Sequence, residues 1–175
     1  QMTEEANQIV EDVESQEHHS SIVLYDENWK KGIIGIVASR LTEIYFRPTV
    51  VLTRDNEFVT GSARSVTGFD VYAAIKSCRD LLVNFGGHTY AAGLTMKLDK
   101  IDEFKKRFQL YVEEHIMPEQ TEAILNIDAM IDFKDITKKL QADLKKFSPY
   151  GPCNTKPLFC TKQVYDYGTS KVVGR

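Results

Sequence analysis

Long apolar runs, paired cysteines and an excess of positive charge are all missing from this chain of 175 residues. No apolar run reaches the roughly 20 residues that span a bilayer, and the acidic N-terminal segment lacks the features of a signal peptide, so we expect a cytoplasmic protein with no membrane partner. The three cysteines form no C-x-x-C pair, which argues against a disulfide framework and a zinc ribbon. The net charge of −3 argues against coating of nucleic acid by bulk charge and leaves room for a local basic surface.

Recognisable catalytic machinery is missing as well. The acidic residues are scattered, and no pair has the spacing of a general acid and base or of a two-metal site. His18 and His19 are adjacent, so their side chains diverge on a helix or a strand, which disfavours a shared metal ion. His115 lies beside Glu113 and Glu114 on a predicted helix and is interpreted as a surface residue. We therefore expect no catalytic residue, no metal site and no bound cofactor in this chain.

The apolar residues follow two periods along the chain, which together are typical of an α/β fold. Helical spacing predicts an amphipathic helix within residues 1–20 and further helices over Gly32–Phe46, over Val71–Val83 with Asp70 as cap, and up to Ile116 with Asp99 as cap. Short buried or alternating runs predict strands over Ser21–Tyr25, Thr49–Thr53, Phe58–Ala63 and Leu94–Leu98, the last of them an edge or half-exposed strand. We therefore expect a central sheet flanked by helices.

A break at Met117-Pro118-Glu119 separates this part of the chain from a shorter second part. Beyond it we expect a short basic helix and three strands, over Ala123–Ile131, Leu158–Tyr165 and Lys171–Val173. The expected organisation is a connector helix over 1–20, an α/β domain over 21–118 and an incomplete β segment over 119–175. Because the chain begins inside a predicted helix without a start methionine and stops within predicted β structure, we expect a fragment of a longer protein.

The segment Phe85–Gly93 (FGGHTYAAG) carries little side-chain bulk. We interpret Gly86-Gly87 as a turn that exposes successive main-chain amides beside His88, which could donate a hydrogen bond to a phosphate. The segment matches neither a Walker loop nor a G-x-G-x-x-G fingerprint. A purely structural glycine turn with a hydrogen-bonded histidine fits the same residues.

The segment Gly61–Ser65 (GSARS) places Arg64 between serines at the end of a predicted strand. A guanidinium group can hold two phosphate oxygens through paired charge-assisted hydrogen bonds, and a neighbouring hydroxyl can add a third donor. The alternative is that Arg64 pairs with a carboxylate at the edge of the core, such as Asp70. The residues by themselves therefore predict either an anion site or an ion pair.

Nearly the whole chain resembles a known family. The run Trp29–Pro48 (WKKGIIGIVASRLTEIYFRP), the GSARS and FGGHTYAAG segments and Gly68-Phe69-Asp70 are similar to the DHH-associated domain of the RecJ single-stranded-DNA exonucleases. The stretch from Asp128 through Tyr150-Gly151-x-x-Asn154-x-x-Pro157 resembles the start of the oligonucleotide-binding (OB) domain that follows in those enzymes. The glycine motif alone is shared with other DHH phosphoesterases and with alanyl-tRNA synthetases.

The resemblance implies that this chain is the substrate-gripping part of an enzyme, a 5′-to-3′ exonuclease of single-stranded DNA that acts in recombination and repair. It implies that Arg64 and Ser65 contact a strand phosphate and that Gly86, Gly87 and His88 line the same cleft. In the family, two manganese or magnesium ions act on a DHH domain, which this sequence lacks and which would act in cis. We therefore expect this chain alone to be inactive and residues 119–175 to be the start of an OB domain.

Two other functions fit part of the same pattern. One is a DHH-family phosphoesterase that acts on short oligonucleotides or cyclic dinucleotides, and such enzymes tend to end after the associated domain. The other is a non-catalytic nucleic-acid-binding module like that of alanyl-tRNA synthetases. The sequence departs from the RecJ pattern at Lys30, where histidine is usual, and at Ser148-Pro149-Tyr150-Gly151, which replaces Pro-Phe-Gly.

Overall fold

A computed structural model describes residues 2–14, 19–122, 125–151, 153–168 and 171. The chain divides into two compact units, Gln1–Ala123 and Ile124–Arg175. Among the described residues, no helix is both long and apolar enough to cross a membrane.

The first unit is a five-stranded sheet with helices on both faces, which confirms the predicted α/β class. Its helices are α1 (Met2–Glu14), α2 (Ile34–Tyr45), α3 (Val71–Ser77) and α4 (Ile101–His115). Its strands are β1 (Ile22–Tyr25), β2 (Thr49–Asp55), β3 (Phe58–Arg64), β4 (Leu82–His88) and β5 (Ala91–Lys97). The strand order is β1-β2-β3-β5-β4, with β1 parallel to β2 and the other neighbours antiparallel.

Two apolar cores lie on opposite faces of the sheet. Alternation along β2 directs Val50 and Leu52 into the core under α3 and α4, where Phe104 and Phe108 are fully buried. Val51 points the other way, into the core formed with α1 and α2. Because β2 is covered on both faces, its sequence contains a continuous apolar run instead of alternating apolar and polar residues.

Two helix ends differ from the sequence prediction. Asp70 caps α3 as predicted, since its carboxylate accepts a hydrogen bond from the N–H of Ala73 at 2.9 Å. That helix nevertheless ends at Ser77 rather than at Val83, because a short 3-10 turn over Arg79–Leu81 leads into β4. The predicted cap at Asp99 is wrong, since this residue lies inside a 3-10 turn and α4 starts after Lys100 without a side-chain cap.

The interpretation of Gly86-Gly87 as a turn is wrong. Both glycines lie within β4, and the chain reverses over Thr89-Tyr90 between β4 and β5. Glycine disfavours strands on its own, but here pairing with the residues of β5 overrides that preference. The hairpin also makes β5 an interior strand and β4 the edge, whereas the sequence allowed β5 to be the edge.

The second unit contains one helix, α5 (Lys138–Lys145), and a parallel pair of two-residue strands, β6 (Ala129–Met130) and β7 (Phe159–Cys160), among its described residues. These strands are shorter than predicted, and most of the predicted strand Lys171–Val173 lies outside the described residues. The side-chain amide of Asn154 donates to the carbonyls of Phe147 and Pro149, at 2.8 and 3.0 Å. That asparagine therefore holds the loop of the OB-like motif in place.

The three cysteines are free thiols. Cys78 is buried, and burial raises the pKa of its thiol, which therefore stays protonated and unreactive.

Nearby on the same side of the sheet, Arg107 donates two hydrogen bonds to Asp80, at 2.7 and 2.9 Å, and this contact lowers the pKa of that carboxyl group.

Candidate nucleic-acid interface

One side of the sheet is only partly covered. Helix α2 packs there over β2 and β3, and the polar and small residues of β3, β5 and β4 form three cross-strand rows beside it. We call this surface the open face, and its rows are Arg64–Ala91–His88, Ser62–Gly93–Gly86 and Thr60–Thr95–Asn84. The strand register thus brings the two motif segments together, because Arg64 and His88 end the same row.

The main chain is bare in the middle row. A Cβ atom added at Gly86 would meet no atom within 4 Å, and one added at Gly93 would lie 3.8 Å from the carbonyl oxygen of Gly61. Since β4 is an edge strand, every second amide along it points away from its neighbour β5. A ligand can therefore approach alternate amides of β4, instead of the successive amides of a turn.

Arg64 is held in place by neutral oxygen atoms. Its Nε donates to the hydroxyl of Ser39 at 3.0 Å, and one terminal nitrogen donates to the hydroxyl of Ser62 at 2.9 Å and to the carbonyl of Ala63 at 2.7 Å. These bonds use three of the five N–H donors of the guanidinium group. The other terminal nitrogen makes no hydrogen bond with any described residue, so two donors remain free.

No described carboxylate pairs with Arg64, which contradicts the alternative that it forms an ion pair with Asp70. Asp70 instead caps α3. A half-buried guanidinium without a counter-ion has lost part of its hydration and gained no opposite charge in return. An anion bound to the two free donors would supply that charge.

Gly35 provides the space that Arg64 occupies. A Cβ atom at position 35 would lie 3.0 Å from the free terminal nitrogen of Arg64 and 3.1 Å from the hydroxyl oxygen of Ser62. One turn further along α2, the hydroxyl of Ser39 donates to the carbonyl of Gly35 at 3.0 Å and accepts from Arg64. Gly35 and Ser39 therefore position the guanidinium group from the helix side.

His88 is exposed at the other end of the first row. Its Nδ1 accepts a hydrogen bond from the N–H of Tyr90 at 3.3 Å, and the Tyr90 ring stands edge-on to the imidazole with 6.5 Å between the ring centres. In the neutral tautomer that accepts at Nδ1, the proton is on Nε2. His88 can therefore donate a hydrogen bond to an anion from Nε2.

Two of the predicted site residues, Ser65 and Gly87, stabilise the local fold. The hydroxyl of Ser65 donates to the carbonyl of Phe69 at 2.7 Å, and its N–H donates to the carbonyl of Tyr90 at 3.1 Å. Gly87 has a φ of +153°, and a Cβ atom there would lie 2.3 Å from the carbonyl oxygen of Ala91. Ser65 thus ties the loop after β3 to the hairpin, and Gly87 allows the two strands of the hairpin to approach closely.

The sequence analysis missed Gly35 and Ser39 as site residues. Their spacing of four residues places them on one face of a helix, which is a signal visible in the sequence. The sequence could not show that this face lies against β3. Among the described residues, no group of three His, Cys, Asp or Glu side chains could hold a metal ion.

Two family models match the chain, the DHHA1 domain over residues 18–114 and the RecJ OB domain over residues 127–175. The chain therefore belongs to the DHHA1 domain family. Among curated proteins it is similar to the single-stranded-DNA-specific exonuclease RecJ of Bacillus subtilis, with 35% identity over 89% of this chain and 20% of that protein. It is also similar to RecJ of Escherichia coli, with 29% identity over 79% of this chain and 25% of that protein.

A solved structure gives the same result. The chain superposes on RecJ of Thermus thermophilus in complex with Mg2+ with a TM-score of 0.74 and 27% identity, covering 88% of this chain and 24% of that one. A second structure of that protein holds Mn2+ and matches with a TM-score of 0.72. The chain thus spans about a quarter or less of the length of these relatives, and the resemblance to a DHHA1 domain followed by an OB domain is confirmed.

Proposed function

We propose that this chain is the strand-gripping part of a single-stranded-DNA exonuclease that acts in the cytoplasm in recombination and repair. Its open face holds strand phosphates while a DHH domain in cis, carrying Mn2+ or Mg2+, hydrolyses the phosphodiester bond. The observation that carries the proposal is Arg64, a half-buried guanidinium that neutral oxygens fix in place and no described carboxylate neutralises.

The contacts available on the open face suit the backbone of a strand better than its bases. The free donors of Arg64 and His88 are those that bind phosphate oxygens. The absence of side chains at Gly86 and Gly93 allows a sugar-phosphate chain to approach the main chain closely. Contacts of this kind carry no base information, so the grip should be independent of sequence.

The match to a RecJ OB domain over residues 127–175 supports this function over the two alternatives. A phosphoesterase of short oligonucleotides is expected to end after its associated domain. An OB segment that follows the DHHA1 domain in the sequence instead favours a longer single strand as the substrate, because OB folds bind extended strands.

Isolated from any DHH domain, this chain should not degrade single-stranded DNA. The test is incubation of the purified chain with a labelled oligonucleotide and Mn2+, with the labelled fragments separated on a gel. No cleavage is expected at any concentration of the chain. Cleavage that co-purifies with the chain through successive columns would show that the chain has catalytic machinery of its own and would contradict this division of labour.

Binding of a strand should change the amide signals of the open face. We expect a 5′-phosphorylated dT6 oligonucleotide, titrated at millimolar concentration into the 15N-labelled chain, to shift the backbone amides of Ser62, Gly86 and Gly93. The amides of α4 lie on the opposite side of the sheet and serve as internal controls. Shifts that appear on α4 and not on the open face would place the strand elsewhere.

A further inference from the structure

A fourth row continues the open face beyond the three described above. Phe58 of β3 pairs with Lys97 of β5. Each lies two residues beyond a member of the Thr60–Thr95 row, so both side chains point to the side of the open face. Phe58 is 38% exposed and Lys97 is also exposed. An aromatic ring beside an ammonium group therefore ends the open face at the edge opposite Arg64.

The charge of Lys97 is available to a ligand. The side chain of Lys97 forms no ion pair or hydrogen bond with any described residue. Two acidic residues, Glu57 and Asp99, lie in the turns that flank the row. They line a shallow hollow of about 500 Å3 together with Phe58, Lys97 and Leu98. Neither of these carboxylates forms an ion pair with Lys97, so the row presents a cation and a ring without a neutralising contact.

The rows between the two ends suit a charged, extended polymer. Ser62, Thr60 and Asn84 are small or neutral polar residues, and the exposed side-chain amide of Asn84 has no hydrogen bond with any described residue. None of the eleven residues that make up the four rows is a carboxylate. Rows two residues apart repeat at about 6.8 Å, and Phe58 lies about 20 Å from Arg64 along β3. This distance is too long for a mononucleotide and fits several nucleotides of a strand.

We propose that the open face binds a single DNA strand lengthwise, with Arg64 on a phosphate at one end and Phe58 with Lys97 on a base and a phosphate at the other. The inference rests on the proposed function and adds a second anchor to it. An aromatic ring stacks on any base, and a neighbouring cation neutralises the adjacent phosphate, so this anchor is as independent of sequence as the first.

A length series tests the second anchor. Affinities of the full chain for 5′-phosphorylated dT2 and dT6 are measured for the unmodified chain and for the variants Phe58→Ala, Lys97→Ala and Arg64→Ala. Lys106→Ala is the matched control, because it removes an exposed lysine from α4 on the other side of the sheet. Loss of a base-stacking ring typically weakens strand binding by about 5- to 150-fold.

We expect Phe58→Ala and Lys97→Ala to weaken the binding of dT6 by about 5-fold or more and to leave dT2 unchanged, while Arg64→Ala weakens both. If Phe58→Ala and Lys97→Ala bind dT6 like the control while Arg64→Ala is impaired, the second anchor is wrong and the proposed function stands. If they weaken dT2 and dT6 equally, their effect is on the structure, which also overturns the second anchor. If Arg64→Ala binds normally, the proposed function fails and the second anchor fails with it.

Discussion

Replacing Gly87 by alanine should lower the free energy of unfolding of the first unit by about 1–3 kcal/mol, the range typical of an added group that forces the backbone to move. The new methyl group would lie 2.3 Å from the carbonyl oxygen of Ala91 and 2.5 Å from the Cα atom of Ala92. Both are main-chain atoms of the paired strand, so they cannot move aside as a flexible side chain could. The hairpin must therefore distort or separate.

Gly86→Ala is the matched control for this prediction. The two glycines are adjacent on β4, but a Cβ atom at Gly86 meets nothing within 4 Å, so the stability should change by no more than about 0.5 kcal/mol. Trp29 is the single tryptophan of the chain and is buried in the core under α1 and α2, so its fluorescence during denaturation reports on the first unit. Equal midpoints for the two variants would mean that the register of the hairpin is wrong.

Arg64→Ala should weaken the binding of a phosphorylated single strand by about 5- to 150-fold, since about 1–3 kcal/mol is lost with a charged hydrogen-bonded pair. Truncation removes both free donors and the charge, while Ser39 and Ser62 lose only a partner that water can replace. The measurement is fluorescence anisotropy with a labelled 5′-phosphorylated oligonucleotide.

Arg54→Ala provides the control for net charge, because Arg54 is exposed on β2 and its side chain is 3.5 Å from Glu27. Gly35→Ala provides a second perturbation of the same site. Alanine favours the helix by up to about 1 kcal/mol over glycine, so stability should not fall, yet the added methyl group displaces the guanidinium of Arg64. A variant that is as stable as the unmodified chain but binds less tightly would separate the role in binding from the fold.

The sequence predicted those parts of the fold that local patterns determine. The apolar run of β2, the alternation of β3 and the Asp70 cap of α3 all follow from neighbouring residues, and the structure contains each of them. The hairpin was not predictable in this way. Gly86 and Gly87 indicate a turn when considered alone. Only their pairing with residues of β5 makes them strand residues.

The candidate site shows the same limit. Arg64 and His88 could be singled out from residue type and from the family resemblance, and the register places them at two ends of one row. The contact between Arg64 and Ser39 depends on α2 crossing β3, which no local pattern in the sequence reveals. The hydrogen bond from the Ser65 hydroxyl to the carbonyl of Phe69 likewise forms only when the loop is folded.

The salt dependence of binding tests the central claim, that the open face holds strand phosphates through Arg64, most directly. The logarithm of the binding constant of a single strand falls with the logarithm of salt concentration by about 0.7 for each phosphate that the protein neutralises. Comparison of the unmodified chain with Arg64→Ala should therefore show a slope that is smaller by about 0.7 in the variant, together with the lower affinity. The same slope and the same affinity for both proteins would contradict the claim.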